Sequence, residues 1–222
     1  MKVKKLLFYL LAALLGGCGP VMSLHSLYTK ENVVFEEKLV GTWVDDPNSP
    51  EATWEFNRIE EPENAYRLVF TDKNGQKGSF VAHLVKLENS LFLDVFPDEF
   101  PCDTEDPNKT DWLYNVFFLV PAHTFIKIDS IEPQLKMRLT NDDKMAELLK
   151  EDPNAVKHAF IEDRLILTES TKELQAFVLE YADDNRVFTD EIVLGRKETQ
   201  DPNAPNSIET IAAQKNDLDK SS

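Results

Sequence analysis

The side chains most able to act as general bases or zinc ligands are four histidines, His25, His83, His123 and His158. They lie far apart in the sequence, and the HExxH pattern that puts two zinc ligands on one helix does not occur. A single histidine on a strand is more often packed or solvated than a ligand or a base, so we expect no metal site. An enzyme would need distant residues such as His83, His123 and Glu55 to converge.

Two other kinds of reactive site depend on motifs that this sequence lacks. Many serine hydrolases carry their nucleophile in a Gly-x-Ser-x-Gly elbow, and none is present. A phosphate-binding loop needs glycines at a set spacing, and the five glycines after position 18 do not have it. We therefore expect a protein with no catalytic residues, no nucleotide chemistry and no cofactor.

An acidic stretch, PDEFPCDTEDPNKTD at 97–111, concentrates the oxygen ligands that calcium prefers. The EF-hand pattern requires a glycine at its sixth position and a glutamate at its twelfth, where this sequence has Asn108 and Tyr114. We interpret the stretch as a solvated loop, with calcium binding as the alternative. Cys102 lies among these acids, which disfavour its thiolate, so we expect an inert thiol; a redox-active or cross-linking thiol is the alternative.

The other cysteine, Cys18, follows a short basic and apolar leader. Three lysines occur in MKVKK, and residues 6–15 then form an uncharged apolar run. Ten helical residues span about 15 Å, which is half of a hydrocarbon core of about 30 Å. The layout is therefore typical of a cleaved export signal rather than of a transmembrane helix.

Residues 15–18, Leu-Gly-Gly-Cys, resemble the lipobox of bacterial lipoproteins. The resemblance implies that signal peptidase II cuts before Cys18 and that its thiol carries a diacylglyceryl group. Two or more acyl chains anchor a protein stably to a membrane. Gly19 follows the cysteine where an aspartate often signals retention at the inner membrane, so the resemblance favours the outer membrane, facing the periplasm. The alternative is an ordinary signal peptide that leaves Cys18 free.

The net charge of the chain after residue 17 argues against some classes of binding partner. Without residues 1–17 the protein has 21 basic and 40 acidic residues, a net charge of −19. Such a chain repels nucleic acid and anionic headgroups, and its charge favours solubility. No later apolar run is long enough to span a bilayer. With Cys102 as the only other cysteine, the fold must depend on its apolar core rather than on a disulfide.

Short segments rich in aromatic and β-branched residues predict strands in the first two thirds of the chain. Asn74-Gly75 predicts a tight hairpin, and four copies of Asp-Pro-Asn predict turns. The predicted strands are 38–44, 52–58, 65–71, 79–87, 91–96, 112–120, 123–131 and 134–140.

The last third contains two predicted helices. Apolar residues at i, i+3 and i+4 predict the first at 142–150, and a capping box of Ser170 and Glu173 begins the second. The other predicted elements are strands at 160–169 and 186–197 and a disordered acidic tail at 198–222.

These elements predict a mainly β fold, an antiparallel meander or barrel of eight to ten strands with two short helices. KLVGTW at 38–43 resembles the opening Gly-x-Trp strand of lipocalin and fatty-acid-binding barrels, with Gly41 and Trp43 as the matching residues. Arg196 is a candidate for the final lipocalin arginine, whereas the Thr-Asp-Tyr segment is missing. The resemblance implies that Trp43 closes the base of a barrel. LTESTKELQAFVLEYADD is also similar to the C-terminal half of uncharacterised bacterial lipoproteins.

We therefore expect a signal peptide at 1–17, an anchor and linker at 18–37, one β-rich domain at 38–197 and the tail. The predicted function is that of a non-enzymatic envelope lipoprotein, attached to the membrane by lipid, that acts as a binding or structural module for an unidentified protein partner. The alternative is a lipocalin-like carrier of a small hydrophobic ligand. The carrier requires a cavity among the inward aromatic side chains, and we favour an interior that those side chains fill.

Overall fold

The computed structural model describes residues 20–46, 50–98, 119–162 and 164–197. The predicted signal peptide, Cys18, the acidic stretch from residue 99 onward, most of the predicted strand at 112–120 and the tail lie outside these residues. Their assignments remain predictions. Among the described residues, no helix has the length and apolar character needed to cross a bilayer.

The described chain is mainly β, with two helices, as the sequence predicts. The strands are β1 (Met22–Ser23), β2 (Val33–Val34), β3 (Gly41–Val44), β4 (Ala52–Ile59), β5 (Ala65–Asp72), β6 (Lys77–Leu87), β7 (Ser90–Pro97), β8 (Thr124–Ser130), β9 (Leu135–Leu139), β10 (His158–Ile161), β11 (Arg164–Leu167) and β12 (Ile192–Arg196). The helices are α1 (Asp142–Glu151) and α2 (Thr171–Glu180).

Eight antiparallel strands close into a barrel. The strands β3 to β9 follow one another around the wall in chain order, and β12 fills the gap between β9 and β3. Asn74-Gly75 forms the predicted hairpin between β5 and β6, and Gly75 takes the positive φ of 78° that this turn requires. The predicted meander is therefore confirmed as a closed barrel.

Alternating side chains fill the inside of the barrel. The barrel core contains almost only apolar side chains, and most are completely buried. Its members are Leu39, Trp43, Phe56, Tyr66, Leu68, Ala82, Leu84, Leu93, Val95, Ile126, Ile128, Leu135, Met137 and Leu194.

A second apolar cluster, the outer core, lies against the outward faces of β6, β7 and β8. Both helices, β11 and the segment before β2 cover it. Its members are Val21, Leu27, Val85, Leu87, Phe92, Phe125, Met145, Leu148, Leu149, Val156, Leu165, Leu167, Leu174, Phe177, Val178, Ala182, Val187 and Phe188.

Both predicted helices form, and each begins at a capping side chain. The Asn141 side chain accepts from the Lys144 N–H at the start of α1, and Ser170 accepts from the Glu173 N–H at the start of α2. The buried residues of α1 are Met145, Leu148 and Leu149, as the spacing predicts. Each helix therefore adds one apolar face to the outer core.

Two predicted strands are shorter than expected: 38–44 begins at Gly41, after a 3-10 turn at Glu37–Leu39, and 186–197 begins at Ile192. Two further segments differ in kind from the sequence prediction. Residues 160–169, predicted as one strand, belong to a hairpin of β10 and β11, because Glu162 takes a φ of 55° and turns the chain. The segment 20–37, predicted as part of an anchor and linker, is packed into the body. Val21 is 1% exposed, Leu27 is fully buried, and β1 pairs with β11. These buried side chains hold the segment to the outer core.

Candidate functional site

The most unusual polar group in the described structure is an aspartate–histidine cluster on the outside of the barrel wall. His83 in β6 and Asp94 in β7 are directly opposite each other in the strand register, and His123 immediately precedes β8. Strand alternation directs His83 and Asp94 to the same outward face as Val85 and Phe92 of the outer core. The cluster therefore belongs to the layer between the barrel and the N-terminal segment.

Asp94 is the centre of this cluster and is completely buried. Its Oδ1 lies 2.7 Å from His123 Nδ1, and its Oδ2 accepts a hydrogen bond of 2.6 Å from the Leu27 N–H. A carboxylate at this distance favours the tautomer with a proton on Nδ1 of His123. Asp94 thus orients the imidazole and ties the N-terminal segment to the barrel wall.

His83 occupies a more apolar position beside this pair. It is 5% exposed, and the Tyr28 ring stacks on it with 4.1 Å between the ring centroids. Burial lowers the pKa of His83, with the nearby Asp94 opposing the shift and His123 adding to it. None of the described residues forms a hydrogen bond with its Nδ1. His83 is therefore a neutral imidazole at pH 7, packed as an aromatic ring.

Tyr28 covers the cluster from the N-terminal segment. Its ring also meets that of His123 edge to face, with 6.4 Å between the centroids. Burial, and then the charge of Asp94, raise the pKa of Tyr28, so its hydroxyl stays protonated. The segment that carries Tyr28 is held at Leu27, whose carbonyl also accepts 2.8 Å from the Gln175 side chain in α2. The cluster therefore lies between the barrel wall and the N-terminal segment.

An aspartate that orients a histidine is the arrangement found at many general-base sites. Here the serine paired with His123 through the backbone is Ser23, which is fully buried. Its hydroxyl donates 2.8 Å to the backbone oxygen of His25. That bond gives the Ser23 proton to a backbone oxygen, so Ser23 is not arranged as an activated nucleophile. The arrangement is suited to holding the N-terminal segment on the barrel wall.

The structure brings together two of the three residues that the enzyme alternative requires. His83 and His123 converge, whereas Glu55 is exposed on β4 and pairs in register with Val69 of β5. His158 lies in β10, where its Nδ1 is 2.9 Å from the oxygen of Val156. Among the described residues, no group of three or more His, Cys, Asp or Glu side chains is arranged to hold a metal ion.

The two residues of the predicted barrel motif meet Arg196 at the closing end of the barrel. Trp43 is fully buried and donates 2.9 Å from Nε1 to the oxygen of Leu39. The Arg196 guanidinium lies 4.3 Å from the Trp43 ring centroid and donates to the oxygens of Lys38 and Val40.

Position 41, where β3 begins, requires a glycine. Its φ is +127°, and a Cβ built on it would lie 2.5 Å from Nη1 of Arg196. Since the Lys197 N–H also donates 2.8 Å to the oxygen of Thr42, this corner joins the last barrel strand to the first. Trp43 therefore packs at the end of the barrel, and the resemblance of this corner to lipocalins stays a prediction.

Sequence analysis missed Asp94 and Tyr28. The signal for Asp94 was an acid within LFLDVF, where Phe92 and Phe96, two positions away on either side, are aromatic and share its face of the strand. A lone carboxylate on such a face requires a partner. Tyr28 lies in the segment expected to be a linker, and nothing in the local pattern there indicated burial.

No known family, curated protein or solved structure matches this chain. Its function must therefore be argued from the barrel, the cluster and the N-terminal segment alone.

Proposed function

We propose that this protein is a non-enzymatic lipoprotein of the cell envelope, anchored at Cys18 and acting through its surface as a binding or structural module. The observation that carries the surface role is the packed barrel core. Phe56, Tyr66 and Met137 are each 0% exposed, so no void large enough for water adjoins these three side chains. A protein with this interior binds partners on its outside.

The folded N-terminal segment supports anchoring close to a membrane. Val21 is already buried, and its N–H donates 3.1 Å to Oγ1 of Thr140. Only Cys18 and Gly19 separate the proposed lipid from Pro20, where the described chain begins. A lipid on Cys18 would hold the body against the bilayer with almost no spacer. By the lipobox resemblance, that bilayer is the outer membrane and the body faces the periplasm.

Substitution of each cysteine tests the anchor directly. The Cys18→Ser and Cys102→Ser variants are expressed in a bacterial host with a clickable palmitate analogue, with and without globomycin, an inhibitor of signal peptidase II. We expect Cys102→Ser to be labelled like the unsubstituted protein and Cys18→Ser to lose its label. Globomycin should leave the precursor uncleaved. Labelling that survives in Cys18→Ser, or normal cleavage with globomycin, overturns the anchor.

The carrier alternative shares the barrel fold and differs in its interior. Native mass spectrometry of the lipidated protein, released in mild detergent, distinguishes the two. We expect a mass equal to the mature chain plus its acyl groups. A further stoichiometric apolar molecule that survives detergent exchange would favour the carrier, because a ligand of that kind needs room inside the barrel.

A further inference from the structure

The hairpin of β10 and β11 carries two of the most exposed large apolar side chains in the described structure. Phe160 is 47% exposed and Ile161 is 59% exposed. Phe160 is opposite Leu165 in the strand register, and Ile161 is opposite Arg164, so the two side chains lie on opposite faces of the hairpin. Each face of the hairpin thus carries one exposed apolar side chain near the tip.

The register of β1 places this tip beside the proposed anchor. β1 runs parallel to β11, with Met22 opposite Ile166. Continuing that register two residues towards the N-terminus brings Pro20 level with Arg164, the first residue of β11 after the turn. Two residues of chain reach at most about 7 Å. On this register, a lipid on Cys18 would leave the body at the same end of the three-stranded sheet as Phe160 and Ile161.

The net charge of the protein indicates which kind of phospholipid the hairpin tip can contact. The net charge of −19 without residues 1–17 repels an anionic membrane. At the tip itself the sequence is Glu-Asp-Arg at 162–164, a net charge of −1, and the oppositely charged Glu162 and Arg164 are both exposed. A zwitterionic phospholipid headgroup offers an ammonium and a phosphate, which complement these two side chains, and acyl chains for the apolar pair.

We infer that the tip of the β10–β11 hairpin is a second, non-covalent membrane contact, with Phe160 and Ile161 inserted shallowly into zwitterionic phospholipid beside the lipid anchor. This inference rests on the proposed anchoring at Cys18. Glu162 at the turn keeps the contact at headgroup depth, because moving its polar side chain from water into the hydrocarbon core is costly. The contact would fix how the body is oriented on the membrane, which a flexible acyl anchor alone does not do.

A tryptophan placed at the tip tests this contact in the lipidated protein. Ile161→Trp is reconstituted into phosphatidylcholine vesicles that carry bromine at a shallow or a deep acyl position. The matched control is Val193→Trp, because Val193 is 38% exposed on the barrel wall in β12. The emission of each variant is compared with that of the unsubstituted protein, which reports the native tryptophans.

We expect the added emission of Ile161→Trp to shift to the blue and to be quenched more by shallow than by deep bromine, at low and at high salt. Val193→Trp should show neither change. Phe160→Trp provides a second probe if Ile161→Trp does not fold. Equal quenching of tip and control, or quenching lost at high salt, overturns the apolar contact.

Lipid labelling of the same preparations separates the two proposals. A labelled protein without tip quenching overturns the second contact and leaves the anchor intact. A protein with no label at Cys18 overturns the anchor, and the inferred orientation falls with it.

Discussion

The barrel core and the outer core lie on opposite faces of β6, β7 and β8 but are built differently. The barrel core consists of apolar side chains with Tyr66, whose hydroxyl bonds to the backbone of Glu36 at the barrel end. The outer core adjoins a buried carboxylate and two imidazoles, those of Asp94, His123 and His83. The barrel core is held together by the packing of apolar side chains, whereas the outer core also adjoins a buried polar cluster.

The difference follows from what each layer has to join. The inward residues meet because the wall closes, so hydrophobic packing is enough to fill the barrel. The outer core has to bring the N-terminal segment to one place on that wall. Apolar contact is not directional, whereas the bond from the Leu27 N–H to Asp94 allows a single docking position. We interpret the cluster as the element that specifies where this segment docks.

Removal of a large side chain from the barrel core should have the largest effect on stability. Phe56→Ala leaves a cavity among fully buried neighbours, and we expect a loss of about 3–5 kcal/mol in the free energy of unfolding. Urea denaturation followed by circular dichroism measures it. Val193→Ala is the control, because that side chain is partly exposed, and its loss should stay below about 1 kcal/mol. Similar losses in the two variants would contradict a packed interior.

Removal of the Asp94 charge should lower the free energy of unfolding less than Phe56→Ala does and more than a surface substitution does. Asp94→Asn keeps the shape but weakens the bonds to His123 and Leu27, and we expect a loss of about 2 kcal/mol. Glu191→Gln is the matched control, since it breaks the partly exposed pair with Lys136 and should cost less than about 1 kcal/mol.

The same pair of variants tests the docking role of the cluster. Amide hydrogen exchange of the segment 20–34 should speed up in Asp94→Asn and stay unchanged in Glu191→Gln. If the segment keeps its protection in Asp94→Asn, the apolar contacts of Val21 and Leu27 are enough to dock it, and the proposed role of the carboxylate is wrong.

The smallest predicted effect is a dependence of stability on pH that comes from His83. Because burial lowers the pKa of His83 below its ordinary value of 6.5, the unfolded chain binds this proton more readily than the folded one. The contribution of His83 is complete above pH 6.5 and is lost as the pH falls through the lowered pKa. The slope is at most about 1.4 kcal/mol per pH unit.

His83→Phe isolates this contribution, since phenylalanine keeps the stacking on Tyr28 and cannot titrate. The neighbouring Asp94, His123 and Tyr28 are present in both proteins. We expect the unfolding free energy of the variant to fall less steeply between pH 7 and pH 5 than that of the unsubstituted protein. Parallel curves would show that His83 is protonated as easily in the folded state as in the unfolded one.

Much of the local structure could be predicted from the sequence, because it depends on neighbours a few residues apart. The capped helices, the Asn74-Gly75 hairpin and the strands of the wall all follow from such patterns. The β10–β11 hairpin was missed because residues 160–169 contain no glycine or proline, so nothing in this strand-like run indicated a turn at Glu162.

The sequence by itself determined the alternation that gives the barrel one apolar face, the caps of both helices, the glycine and tryptophan of the barrel motif and the strong negative charge. Only the tertiary structure decided that β12 closes on β3, that Asp94 lies between Leu27 and His123, and that the N-terminal segment is packed rather than free. These contacts join residues far apart in the chain. They depend on strand register and on how separate surfaces fit, and a local pattern contains neither.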